Sequence, residues 1–208
     1  MNKMLLGPLL FAPLLFAPLL FAPLLACAAT PSFDCAKASG AAETLICKDA
    51  ALAALDNELA TLYPKALANL SPEQLKTEKA MQRGWIKGRN DCWKAKDLRQ
   101  CVEENYQQRI TELQIKGGQL MVTTPVDYKC GNKVILSTYF YNDAKLPATV
   151  INLSEGDSQQ QVLAYEVPSA SGARYEGQNL SLFTKGDEAS LERYGQPALN
   201  CTVIPAKG

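Results

Sequence analysis

The hydrophobic period of this chain changes at the glycine pair Gly117-Gly118. Upstream, Leu52, Leu55, Leu59, Leu62 and Ala66 recur at three- and four-residue steps, which is one apolar stripe on an α-helix. Downstream, Leu180 and Leu182 alternate with Ser181, Phe183 and Lys185, the two-residue period of a half-buried strand. One element cannot satisfy both periods. The 208 residues are enough for two separate cores. The expected architecture is a small all-α, disulfide-bearing domain over residues 33–114, a linker over 115–127, and an all-β domain over 128–208.

Capping signals divide the helical part. Asn69 ends the first stripe, and Ser71-Pro72-Glu73-Gln74 restarts a helix with a serine cap, a first-turn proline and a glutamine placed for a capping box. This second helix carries Leu75, Met81, Trp85 and Trp93, with both tryptophans read as core residues. Asp97-Leu98-Arg99-Gln100 opens a third, bearing Leu98, Val102, Tyr106, Ile110 and Leu113. Lys94, Lys96 and Arg99, interrupted by Asp91 and Asp97, read as a solvated face. Gly117-Gly118 stops the third helix, and Pro125 precedes the first strand. Strands are expected over 134–141, 149–153, 161–167, 180–184, 189–193 and 199–204, with one through Tyr128 and a short one near Tyr175. Lys185-Gly186-Asp187 reads as a turn and Ser171-Gly172 as another. About one strand separates them, so the two tips can lie side by side at one end of a barrel. On spacing alone, both are plainly read as ordinary surface turns.

The first 26 residues stand apart: Asn2-Lys3, then an apolar run with FAPLL three times and prolines at 8, 13, 18 and 23. The length without charge would suit a membrane span. The prolines and the small residues Ala26, Cys27, Ala28 and Ala29 favour a cleaved signal peptide over 1–26. Leu24-Leu25-Ala26-Cys27 resembles a bacterial lipobox, which would make Cys27 a lipidated N-terminus; ordinary cleavage after Ala28 or Ala29 is the alternative. Seven cysteines less Cys27 leave six, an even set that reads as disulfides in a secreted chain. Cys35, Cys47, Cys92 and Cys101 allow three connectivities; the local pairs Cys35–Cys47 and Cys92–Cys101 are the preferred one. There is no histidine, which removes Ser-His-Asp and Cys-His catalysis and every His-containing zinc site. No cofactor or metal is expected. Zero formal net charge argues against nucleic acid as a partner.

Two segments carry resemblances. Ser171-Gly172, Tyr175, Phe183, Lys185-Gly186 and Ala189, within SASGARYEGQNLSLFTKGDEASLE, resemble the MliC/PliC family of bacterial cell-envelope inhibitors of c-type lysozyme. Phe183 stands where that family usually has Trp. The resemblance spans 128–203. It implies an eight-stranded antiparallel barrel, a Cys130–Cys201 disulfide tying the first strand to the last, and a partner-binding set of Ser171, Gly172, Tyr175, Lys185 and Gly186. A c-type lysozyme works with one protonated and one ionised carboxyl in a cleft. A lysine inserted there meets the ionised group, and a serine hydroxyl suits the neutral one. Upstream, FDCAKASGAAETLIC, LAALDNELATLY, QRGWIKGRNDC and Tyr106-x-x-Arg109-Ile110-x-x-Leu113 resemble the LprI N-terminal family, a cysteine-bearing helical domain named for a mycobacterial lipoprotein that also inhibits lysozyme.

The implied protein is a non-enzymatic inhibitor whose partner is c-type lysozyme. It would face the periplasm as an outer-membrane lipoprotein, since Ala28 rather than aspartate follows Cys27, or be soluble there. The alternative is a non-inhibitory envelope scaffold whose helical domain docks a partner. A two-carboxylate wall hydrolase using Asp187, Glu188 or Glu192 is a third class, but those acids fall on a turn and strand without cleft signals. The oligomeric state stays open.

Overall fold

The structure, a computed structural model, describes residues 29–122 and 124–205; the leader and Cys27 lie outside these described residues. Four helices come first: α1 (Gly40–Lys48), α2 (Ala50–Leu67), α3 (Pro72–Asn90) and α4 (Leu98–Lys116), with 3-10 turns at Cys35–Lys37 and Asp91–Lys94. Three helices were expected, and α1 is the addition. It is only nine residues long, with two buried side chains, Ala42 and Ile46, so it shows no extended stripe. The capping box on α3 is present in both directions, Ser71 Oγ accepting from the Gln74 amide and Gln74 Oε1 from the Ser71 amide. Asp97 caps α4 by accepting from the Gln100 amide. The disulfide Cys35–Cys47 ties the entering 3-10 turn to α1, and Cys92–Cys101 ties the turn after α3 to the start of α4.

The helical core is Ile46, Leu52, Leu59, Val102, Ile110 and Leu113 around Tyr106. Trp85 is half-buried, edge-on to Tyr106 at 5.3 Å, with its indole N–H donating to the Asn105 carbonyl. Trp93 corrects the core expectation: it is 62% exposed, because α3 stops at Asn90 and the 3-10 turn rotates it outward, where Lys94 covers its ring at 5.4 Å. Among the described residues of this half, the buried charged side chains Asp56, Glu78, Arg89 and Arg109 are all hydrogen-bonded. Arg89 donates to the Tyr106 hydroxyl at 2.7 Å, and that hydroxyl donates to Asp56 at 2.7 Å. Arg109 donates to Glu78, Gln82 and Glu112, and Lys116 reaches Glu78 at 3.0 Å.

The second half is a closed barrel of eight strands, each antiparallel to the next. They are β1 (Val126–Cys130), β2 (Val134–Tyr141), β3 (Ala148–Glu155), β4 (Ser158–Val167), β5 (Ala173–Gly177), β6 (Leu180–Lys185), β7 (Glu188–Arg193) and β8 (Leu199–Val203). The β3–β4 hairpin extends past the expected strands. Ser154 to Gln161 is polar and shows no alternation, yet it pairs around a two-residue turn at Gly156-Asp157. β8 closes on β1 with Cys130 opposite Cys201, and the disulfide joins them. Inward side chains fill the interior, among them Tyr128, Leu136, Ile151, Ala164, Leu182 and Leu191. Small barrels filled in this way leave no interior cavity for a ligand.

The halves touch through α4. The β2–β3 loop lies on it: Thr111, fully buried, accepts from the Leu146 amide at 2.8 Å and donates to the Leu146 carbonyl at 3.3 Å. Gln114 accepts from the Lys145 amide, and Lys145 pairs with Glu58 of α2 at 2.7 Å. The Tyr165 hydroxyl donates to the Gln108 carbonyl at 3.3 Å, and burial pushes that phenol's pKa up.

Two outcomes follow. Thr111→Val leaves the Leu146 amide without its acceptor, so it is expected to cost about 1–3 kcal/mol, read as a lower melting midpoint. The second concerns acid. Burial would raise the Glu78 carboxyl, but hydrogen bonds from Arg109 and Lys116, and their charges, outweigh it and hold the pKa below its ordinary value. The Ser39 amide, foremost, does the same for Glu43. A group depressed on folding stabilises the fold above its unfolded pKa and loses that contribution as pH falls through the folded value. The melting midpoint should be flat above about pH 5 and fall below it. Glu78→Gln should lower the neutral-pH midpoint and flatten that acid slope.

Candidate partner-binding rim

Alternating connections place the β2–β3, β4–β5 and β6–β7 links at one end of the barrel. Ser171 and Gly172 end the β4–β5 loop, and Lys185 and Gly186 sit where β6 turns into β7. Register makes them neighbours: Ala173 pairs with Thr184, so the chain just before Ala173 runs beside Lys185.

Gly172 is the device that allows this. Its φ is +71°, and a Cβ there would fall 2.4 Å from the Thr184 carbonyl oxygen and 3.0 Å from the Phe183 ring. Only a residue without a side chain fits both the backbone conformation and the contact. The loop therefore rests on Phe183-Thr184, bringing Ser171 up to the Lys185 strand end. Ser169 Oγ donates to the Ser171 carbonyl at 3.1 Å and tightens the tip. Ser171 and Lys185 are both exposed, and among the described residues Lys185 forms no ion pair. Gly186 takes φ +58° with open space around it.

Tyr175 is placed differently. It is 4% exposed and lies inside the barrel, its ring 5.5 Å from that of Phe140. Strand alternation turns it inward, so it is corrected from a contact residue to a support under the rim. Burial, foremost, raises its phenol's pKa. Arg174 was not foreseen. It pairs opposite Phe183 on the outer face, its guanidinium 5.9 Å from that ring, donating to Ser181 Oγ at 2.9 Å and lying 3.7 Å from Glu192. It thus covers the ring on which Gly172 rests. The signal for it was the strand pairing, which a single sequence does not display. Asp187, Glu188 and Glu192 are exposed on the turn and β7, and no cluster that could hold a metal occurs among the described residues.

Two family models match this chain. One, described as membrane-bound lysozyme-inhibitor of c-type lysozyme, matches residues 128–200; the other, lysozyme inhibitor LprI, matches 35–113. Lipoprotein LprI of Mycobacterium bovis and Lipoprotein LprI of Mycobacterium tuberculosis are each 33% identical over 182 residues, covering 82% of this chain and 89% of the relative. The chain belongs to the LprI lipoprotein family. A match covering 82% of this chain is longer than either half alone, so the likeness extends into both.

The two rim glycines separate strain from contact. Gly172→Ala is expected to displace the β4–β5 loop and lower the melting midpoint, because both φ and space forbid a methyl group. Gly186→Ala carries only the left-handed backbone penalty of about 1 kcal/mol. Amide chemical shifts over 168–173 and 183–185 check this: large changes for the first variant, local ones for the second.

Proposed function

We propose that this protein is a cell-envelope inhibitor of c-type lysozyme that lodges the Ser171–Lys185 rim in the enzyme's cleft and so shields bacterial peptidoglycan. The observation that carries the reading is the seating of Gly172 on Thr184, which keeps an exposed hydroxyl and an exposed ammonium at adjacent strand ends. Preorganised groups lose little freedom on binding. The ammonium faces the ionised carboxylate of the cleft, and the hydroxyl faces the protonated one. Neither does chemistry; they exclude the sugar chain. Family membership supports the inhibitory role, and the word lipoprotein in the relatives' name supports an anchor at Cys27.

The helical half matches a family also described as inhibitory, which favours a second reading in which residues 35–113 carry the activity. Lys185 separates the two. Truncating one partner of a desolvated charge pair costs roughly 2–5 kcal/mol, so Lys185→Ala in the full chain should weaken inhibition about thirtyfold or more. Ser171→Ala should cost about 1 kcal/mol. Lys185→Arg should rescue only in part, since a planar fork does not occupy the space of a point ammonium. Titration of c-, g- and i-type lysozymes with each variant reads this out, with c-type expected to respond. A folded Lys185→Ala protein that inhibits like the parent would overturn the rim mechanism and move the function to the helical half.

A further inference from the structure

We propose that the outer face of α3 rests on an anionic phospholipid surface. Lys76, Lys79, Arg83 and Lys87 follow one another at steps of three, four and four. At 3.6 residues per turn they fall within about 80° of arc, one stripe of positive charge. All four are exposed, and none makes a hydrogen bond or ion pair among the described residues. Several other exposed cations of this half are paired, Arg99 with Asp49 and Glu103, Lys116 with Glu78 and Glu112, Lys94 with Asp91 and Lys37 with Asp34. Lys48, Lys65 and Lys96, exposed and without an ion pair among the described residues, lie outside α3 and form no stripe. In a chain of zero net charge, four unpaired cations on one helix face make a directional patch.

The surroundings select a membrane over other polyanions. The first described residues are pinned to α2, on the side where it faces α3. Thr30 accepts from Asn57 through its carbonyl, and Ser32 donates twice to Asp56. Ser32 and Phe33 then line a cavity of about 410 Å³ together with Gln82, Trp85 and Ile86 of α3. Ile86, 38% exposed, borders the stripe and adds an apolar edge to the basic face, the mix that suits a lipid interface. Cys27 lies three residues before Thr30, a span of at most about 10 Å. A lipid on Cys27 would therefore hold this side of the molecule at the headgroups. The direction of this inference rests on that anchor and not on lysozyme inhibition. α3 packs on α4 through Glu78, Gln82 and Trp85, whereas the barrel packs on α4 through Gln108, Thr111 and Gln114. The basic face is thus turned away from the barrel.

The test uses the mature full chain carrying Cys27→Ser, so that no acyl group contributes. It should co-sediment with phosphatidylglycerol vesicles, release with rising salt, and ignore phosphatidylcholine vesicles. Each cation near such a surface is worth about fivefold in partitioning. Arg83→Gln alone should weaken binding by about that factor, and the four-fold Gln variant at 76, 79, 83 and 87 by several hundredfold. Lys129→Gln with Lys133→Gln, on the barrel, should change nothing. Circular dichroism reports folding, and lysozyme inhibition in solution, measured in parallel, should be the same for all variants. Equal partitioning into both lipids, binding of the four-fold variant at parental strength, or parental binding to soluble heparin but not to vesicles would each overturn the proposal.

Discussion

Closure of β8 onto β1 is the constraint from which the functional geometry descends. An antiparallel barrel with an even strand count sends its connections alternately to two ends. Pairing of Cys130 with Cys201 locks the seam and with it the register of every strand around the ring. A one-residue slip would reverse every inward and outward side chain. Tyr175 and Leu182 would leave the core, and Gly172 would no longer face the Thr184 carbonyl. The rim is a consequence of the seam on the far side of the barrel from it.

The helical half is stabilised by different means. α3 buries fully only Glu78 and Arg89, both charged, while Trp85 is half-buried and Met81 and Ile86 stay exposed. It is held to α4 by hydrogen-bonded ion pairs more than by apolar area. Buried pairs contribute little net stability against an apolar replacement, yet breaking one is costly because its partner stays buried. Arg109 has acceptors on Glu78, Gln82 and Glu112, and Arg89 on Tyr106, Asn90 and Glu43, so each fixes α3 at one register against its neighbours. This arrangement leaves the opposite face of α3 unconstrained by packing and able to carry four cations at no structural cost.

What the sequence made legible was what local chemistry decides. The caps at Ser71 and Asp97, the stop near Gly117 and the strand through Leu180 and Leu182 are read from neighbours in the chain. So were the exposed tips at Ser171 and Lys185. Trp93 was misread because a large ring argues for burial, whereas its exposure depends on α3 ending three residues earlier. Tyr175 was misread because a motif gives a residue's position in the chain but not its side of the sheet. The β3–β4 extension was invisible because polar strands have no hydrophobic period. Arg174 and the buried Thr111 contacts depend on pairings between distant segments, which no local pattern encodes.

The contacts of Thr111 and Gln114 with the β2–β3 loop, and of Lys145 with Glu58, change what the connecting segment means. The described residues of the connecting segment, 117–122 and 124–125, include Gly117 and Gly118 and form no helix or strand, which alone would let the barrel swing. With the β2–β3 loop held on α4, the barrel instead takes its orientation from the helical half. That loop lies at the same end as Ser171 and Lys185. A partner covering the rim therefore shares this end with the helices, which bound its approach on one side. On the proposed reading, the helices would matter to binding even without supplying a contact, because a face of α3 fixed in the envelope would fix the direction in which the rim is presented. Such a mechanical role requires both halves on one chain, and the likeness to the LprI lipoproteins runs over 82% of this chain rather than over one half alone.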